Sequence, residues 1–181
     1  MAITQLESST LSNVTSATFT TFSTDHKLHL FKFWEISPAT DAVNFTVQFN
    51  VTGQSGFNEI LTTTYMRSYN NEANNSNAFE FDNSLHQSGT LTQNYGILAD
   101  SLSNASEKSL AGEMYLYDAA GATFRPDYHA HCVYGHSSTR AQTTFPSGML
   151  NASAAIIAVD FKMSSGNMDG IITLYGIGAE L

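Results

Sequence analysis

The run "AVNFTVQFN", Ala42 to Asn50, alternates apolar and polar residues along its length. Val43, Phe45, Val47 and Phe49 take every second position, with Asn44, Thr46, Gln48 and Asn50 between them. In a strand, residues two apart share a face, whereas helical side chains recur about every 3.6 residues. The run is therefore a strand of an antiparallel sheet, with one face toward a core and one in water. The turn before it is "ISPATDA", Ile36 to Ala42, where Pro38 and Asp41 suit turn positions.

The same test applied outward finds more strands. "KLHLFKFWEI" (27–36) places Leu28, Leu30, Trp34 and Ile36 on one face and His29, Phe31, Phe33 and Glu35 on the other. Aromatics on both faces predict a central strand or one covered by a partner. Further strands are expected at Ala17–Phe22, Leu61–Tyr69, Met114–Tyr117, Tyr128–Tyr134, Ala155–Met163 and Ile171–Ile177. In Ala155–Met163, the residues Ala155, Ile157, Val159, Phe161 and Met163 share a face. Turn signals such as "NVTGQSGFN", "DAAGA", "FPSG" and "SSGNMDG" separate these runs. About eight short strands punctuated this way predict an all-β, antiparallel, jelly-roll-like sandwich. The polar, Asn-rich stretch at about 70–90 is long for a connection and is expected to be a variable surface loop.

Composition supports one domain rich in β structure. The chain has 181 residues, 42% of them apolar, with 12 Phe, 8 Tyr and a single Trp. Residues 16–181 are expected to form one sandwich, with 1–15 as an N-terminal arm. Only 13% of residues are charged and the net charge is −9. Arg67 is the one cation between Phe33 and Glu107, so nothing can track a phosphate backbone and nucleic acid is excluded as a partner. No apolar run approaches the ~18 residues needed to span a bilayer, so no membrane insertion is expected. The lone Cys132 can form no internal disulfide. The N-terminus has neither the basic region nor the apolar core of a signal peptide, which points to synthesis in a cytoplasm. Sequons at Asn13, Asn44, Asn50, Asn74, Asn104 and Asn151 are accounted for by chance in a chain this rich in Asn, Ser and Thr. Charge is too scarce to guard exposed strand edges, so neighbouring subunits are expected to cover them.

Few residue sets could carry chemistry. In "YHAHCVYGH" (128–136), His129 and His131 share a face and Cys132 points the other way. Two imidazoles fall short of a zinc site, although three chains on a threefold axis would supply six nitrogens. Two histidines on a solvent face is the simpler reading. Ser137 beside His136 cannot form a nucleophile–base pair, because adjacent strand residues point apart. Glu80, Asp82, Glu113 and Asp118 are available carboxylates, but nothing in the sequence pairs any two of them. No catalytic, metal or cofactor residue is assigned, and the protein is not expected to be an enzyme. Tyr65 and Tyr69, at strand period in "TTTYMRSYNNEANN", are read as facing a core or a partner before a sugar.

Two stretches resemble a known family. The C-terminal "SSGNMDGIITLYGI" carries Ser165, Gly166, Asn167, Gly170, Leu174, Tyr175 and Gly176, and it resembles the ending of small virion proteins of tailed bacteriophages. The order of "SNVTSATFTTFS", a hydrophobic strand and "ISPATDAVNFTVQFN" is similar to the same family's N-terminal part. The resemblance implies a β-sandwich structural protein of a phage particle, a homotrimer assembled in the host bacterial cytoplasm and located in the virion. Its partners would be itself, other virion proteins and a host surface glycan. The expected role is a tail-fibre or receptor-binding component. Capsid decoration is the alternative, and a free carbohydrate-binding module is a more distant one.

Overall fold

A computed structural model describes residues 2–88 and 94–178. Among these, the chain is all-β and antiparallel, with no helix. One wall of the sandwich runs β1 (Ala2–Val14), β14 (Met168–Gly178), β3 (Leu28–Pro38), β9 (Leu110–Tyr117) and β10 (Asp127–His136). The facing wall runs β8 (Gly96–Leu102), β4 (Val43–Val51), β13 (Ile156–Met163) and β2 (Ala17–Phe19). The walls join where His136 of β10 pairs with Leu102 of β8. At the opposite end, β1 turns directly into β2, so the sheet nearly closes on itself.

The first wall extends beyond β10. β11 (Arg140–Thr144) and β12 (Ser147–Leu150) are one run interrupted at Phe145–Pro146, and both pair with β10. β5 (Leu61–Thr64) and β6 (Met66–Asn71) are likewise one run interrupted at Tyr65. β7 (Asn77–Phe81) pairs with β6 and ends the wall. Fourteen described strands replace the expected eight or so. Part of the difference comes from these two interruptions, and part from strands that lack an apolar alternation.

A cluster of aromatic rings holds the walls together. Phe161 of β13 lies with its ring centroid 5.0 Å from Phe31, 5.3 Å from Phe33, 5.9 Å from Phe45 and 6.0 Å from Phe19. All five rings are excluded from solvent. Edge-to-face packing of this kind adds stability beyond the area buried.

Several expectations change. The second face of β4 is not in water, since Thr46 and Gln48 are buried. Gln48 Nε2 donates to the carbonyls of Glu59 (3.1 Å) and Asn94 (2.9 Å), and Thr46 donates to the carbonyl of Lys162. Loop carbonyls and a neighbouring strand thus satisfy Gln48 and Thr46 on that face. Residues 2–14, expected as an arm, form an edge strand in register with β14 from Ala2–Gly178 to Val14–Met168. Its Ser and Thr side chains show no apolar alternation because most of them face solvent. The Asn-rich stretch is mainly a hairpin rather than a loop. Asn71 Oδ1 accepts the backbone N–H groups of Asn75 (3.0 Å) and Ser76 (3.1 Å), and β7 follows. Asparagine there supplies turn chemistry. Positions 89 and 90 of that stretch lie outside the described residues, as do Met1 of the expected arm and 91–93 and 179–181 of the expected domain.

Candidate functional site: the outer face of the long wall

The outer face of this wall is unusually apolar. Among the described residues, six of the nine large exposed hydrophobic side chains sit on it: Trp34, Phe79, Phe81, Tyr117, Val133 and Ile171. Trp34 faces outward in period with Leu28, Leu30 and Lys32, and a paired irregularity follows it. Glu35 has φ +53°, and the β3 register shifts between Phe33 and Ile36, so Ile36 returns to the core instead of following Trp34 outward. The expectation that Trp34 and Ile36 share a face is corrected by this bulge. Opposite it on β14, Gly170 has φ +129°. A Cβ there would come within 2.9 Å of the Glu35 carbonyl and of Ile36 Cα, so only glycine lets the two strands meet.

Strand register then assembles a row of side chains. Lys32 of β3 pairs with Glu113 of β9, and Glu113 pairs with His131 of β10. Lys32 Nζ donates to Glu113 Oε2 at 2.6 Å, and the Tyr115 hydroxyl donates to Glu113 Oε1 at 3.2 Å. The Lys32 contact holds the Glu113 carboxyl below the usual carboxylate range, against the opposing effect of burial. His131 stacks on Phe145 at 4.9 Å. His129 stacks between Tyr115 (4.9 Å) and Tyr117 (5.7 Å), with the Tyr117 hydroxyl 3.3 Å from Nδ1. The two histidines share a solvent-facing side as expected, each fixed flat against an aromatic ring. Among the described residues, no group of three or more His, Cys, Asp or Glu side chains is placed to hold a metal ion.

A trough of about 300 Å³ lies between Trp34 and His131, floored by Ala111 and walled by Lys32, Glu113 and Val133. It adjoins a second depression of about 440 Å³ that shares Ala111 and Val133 and reaches Arg140. Alanine at 111 leaves the hollow between the larger side chains of neighbouring strands. Arg140 is itself held, with its guanidinium 4.1 Å from the Tyr69 ring centroid and Nη2 3.0 Å from His136 Nε2. Together these provide a stacking platform, an ion pair with hydrogen-bonding capacity and the His131 imidazole around one open hollow.

The other candidates are tied up in the fold. Glu80 and Asp82 both contact Arg67 at 2.9 Å, Glu113 contacts Lys32, and Asp118 contacts Lys27 at 3.0 Å, so each carboxylate is matched to a cation. His136 is buried and its Nδ1 accepts the N–H of Ser138. Cys132 is buried, and desolvation pushes its thiol up to about 12. Tyr65 is also buried, its hydroxyl donating to Asp100 at 2.6 Å.

Asp100 of β8 was not singled out in the sequence, yet it anchors the largest polar network. Its Oδ1 accepts from Tyr65, Tyr134 (2.8 Å) and Gln142, and its Oδ2 faces Arg67 Nη1 at 3.0 Å. Burial opposes its charge. His136 at 3.7 Å, hydrogen bonds from Tyr65 and Tyr134, and the Arg67 charge outweigh burial and hold the carboxyl well below the usual range. It is almost wholly enclosed, and it ties β8 to β6, β10 and β11.

No family model matches the chain, and no curated protein matches it. Among solved structures it is similar to the galectin LEC-6 of Caenorhabditis elegans, at 6% identity and TM-score 0.39, with 92% of this chain and 94% of that one covered. A Bacteroides ovatus protein of unknown function is similar at 7% identity and TM-score 0.22, over 76% of this chain and 45% of its own. Likeness at this level transfers no residue role.

Proposed function

We propose that the protein is a non-enzymatic adhesion component of a tailed-bacteriophage particle, and that it recognises a host surface glycan on the outer face of the long wall. The observation that carries the glycan reading is the trough between Trp34 and His131, with the Lys32–Glu113 pair at its side. A sugar ring offers an apolar C–H face and a rim of hydroxyls. Small-molecule sites combine mostly apolar linings with a few placed polar groups in the same way. Trp34 is 48% exposed and supplies the platform, while Glu113, Lys32 and His131 supply acceptors and donors for hydroxyls. Rigid aromatics give contact area at low entropic cost.

The particle context rests on the resemblance of "SSGNMDGIITLYGI" and "ISPATDAVNFTVQFN" to small virion proteins. The first stretch includes Gly170, whose missing Cβ makes room for the Glu35–Ile36 bulge that follows Trp34. Two experiments test the reading. Labelled antibody against this protein is expected to decorate phage tails, and decoration of the capsid alone would favour the cement role. Binding of the purified protein to host surface polysaccharide is expected to weaken at least about tenfold in Trp34→Ala, which corresponds to ~1.4 kcal/mol.

A further inference from the structure

The long wall ends at β7 with an edge that, among the described residues, pairs with nothing on its outer side. In antiparallel pairing, residues that exchange backbone hydrogen bonds with a neighbouring strand alternate with residues that do not. The Asn71 N–H donates to the Ser76 carbonyl at one end of the β6–β7 ladder, and the Asp82 N–H donates to the Tyr65 carbonyl at the other. The bonded positions on this side are therefore Ser76, Ala78, Glu80 and Asp82. Asn77, Phe79 and Phe81 direct their N–H and C=O groups away from β6, toward the open edge. Their side chains lie on the outer face, with Phe79 67% exposed and Phe81 63% exposed. Exposed apolar edges invite strand pairing, and proteins normally guard them with charge, proline or a cover.

This edge has none of those guards. Its one charge, Glu80, is spent on Arg67, whose Nε donates to it at 2.9 Å. The described residues that follow β7, 82–88, run on beside β5, where the Thr63 N–H donates to the Gln87 carbonyl. The opposite edge of the wall is better covered. Glu7 of β1 accepts the backbone N–H groups of Thr20 and Thr21 and the Thr21 hydroxyl, which ties the segment after β2 against it.

We infer that β7 pairs antiparallel with β7 of a second copy of this chain, about a twofold axis at Phe79. The strand is self-complementary in that register. Phe79 meets its own copy, Asn77 meets Phe81, and Ala78 meets Glu80, so no like charges oppose one another. The outward groups of the three odd-numbered residues supply about six intermolecular hydrogen bonds. Facing residues of an antiparallel pair share a face, so Phe79 and Phe81 of both copies form one aromatic patch. The two long walls become one continuous sheet with both Trp34 troughs on the same side. This pairing does not depend on what the troughs bind.

Sedimentation velocity of the full chain over about a hundredfold range of concentration tests the pairing, because a reversible dimer obeys mass action. The expected result is a dimer that dissociates on dilution. Phe79→Pro removes only an outward-facing N–H, as edge strands tolerate, and is expected to give a monomer. Should that variant melt early, Phe79→Lys leaves the backbone intact and sets two like charges face to face on the axis, with the same expected result. Phe124→Ser removes an apolar side chain that is 71% exposed and belongs to no strand, and it is expected to stay dimeric. A wild-type monomer at every concentration overturns the inference. So does any assembly, dimeric or larger, whose mass both Phe79 variants leave unchanged.

Discussion

Asp100→Asn removes one charge from the most enclosed polar cluster in the molecule. Asp100 is 5% exposed and accepts from Tyr65, Tyr134 and Gln142 while facing Arg67 and, at 3.7 Å, His136. An asparagine fits the volume, but its NH2 group points donors at donors. Breaking a buried ion pair from one side costs about 3–5 kcal/mol. Here Arg67 keeps Glu80 and Asp82, which places the loss near the lower end, at about 3 kcal/mol. For a chain of this length that is a fall in Tm of about 10 °C. Urea unfolding followed by tyrosine and tryptophan fluorescence reads the change as a lower midpoint at unchanged slope. Asp118→Asn, at the exposed pair with Lys27, is the control and is expected to cost under about 1 kcal/mol. The pH dependence follows from the sign of the shift. The folded carboxyl titrates below the unfolded one, so its stabilisation is complete above the unfolded pKa of about 4 and is lost as pH falls below that. The gap between wild type and variant should therefore close in strong acid. A loss under about 1 kcal/mol at neutral pH, at the same slope, would refute the claim that this network ties the walls together.

Three further perturbations probe other links. Gly170→Ala places a Cβ against the Glu35 carbonyl and is expected to destabilise the fold by about 2 kcal/mol or more and to weaken glycan binding as Trp34 is displaced. Melting curves and binding isotherms check both effects. Phe161→Ala empties the centre of the ring cluster and is expected to cost about 3–5 kcal/mol in urea unfolding. His29 is buried with neither ring nitrogen hydrogen-bonded among the described residues, and desolvation, helped by His26, lowers its pKa to about 4. The unfolded chain binds that proton from about pH 6.5 downward, so stability is expected to fall as pH drops from 6.5 to 4. The fall is at most about 3 kcal/mol from this group, and His29→Leu should flatten it in a pH series of melts.

Where one strand's alternation decided its neighbours, the sequence was a sufficient guide. β4, β10 and the last strand lie close to where period two places them, and His129 and His131 share the outer side of β10. Bulges defeated the same logic. One at Glu35 parts Trp34 from Ile36, and another between Ile156 and Ala158 turns Ile157 to solvent while Ile156 is buried. A bulge adds a residue without leaving any mark in the apolar pattern. β8 was missed because "GILADSL" carries Asp100 in a buried position, and its partners are 33 to 42 residues away. The trough was illegible for a related reason. Lys32 and Glu113 are 81 residues apart, and only the register of three strands sets them beside His131.

Affinity for host surface polysaccharide, measured by titration calorimetry on wild type and Trp34→Ala side by side, tests the central claim most directly. Saturable binding by the wild type is predicted, with at least about a tenfold loss in the variant and an unchanged melting temperature. Absence of binding to any surface glycan of the host, or equal binding by both proteins, would contradict the assignment of the outer face as the recognition surface.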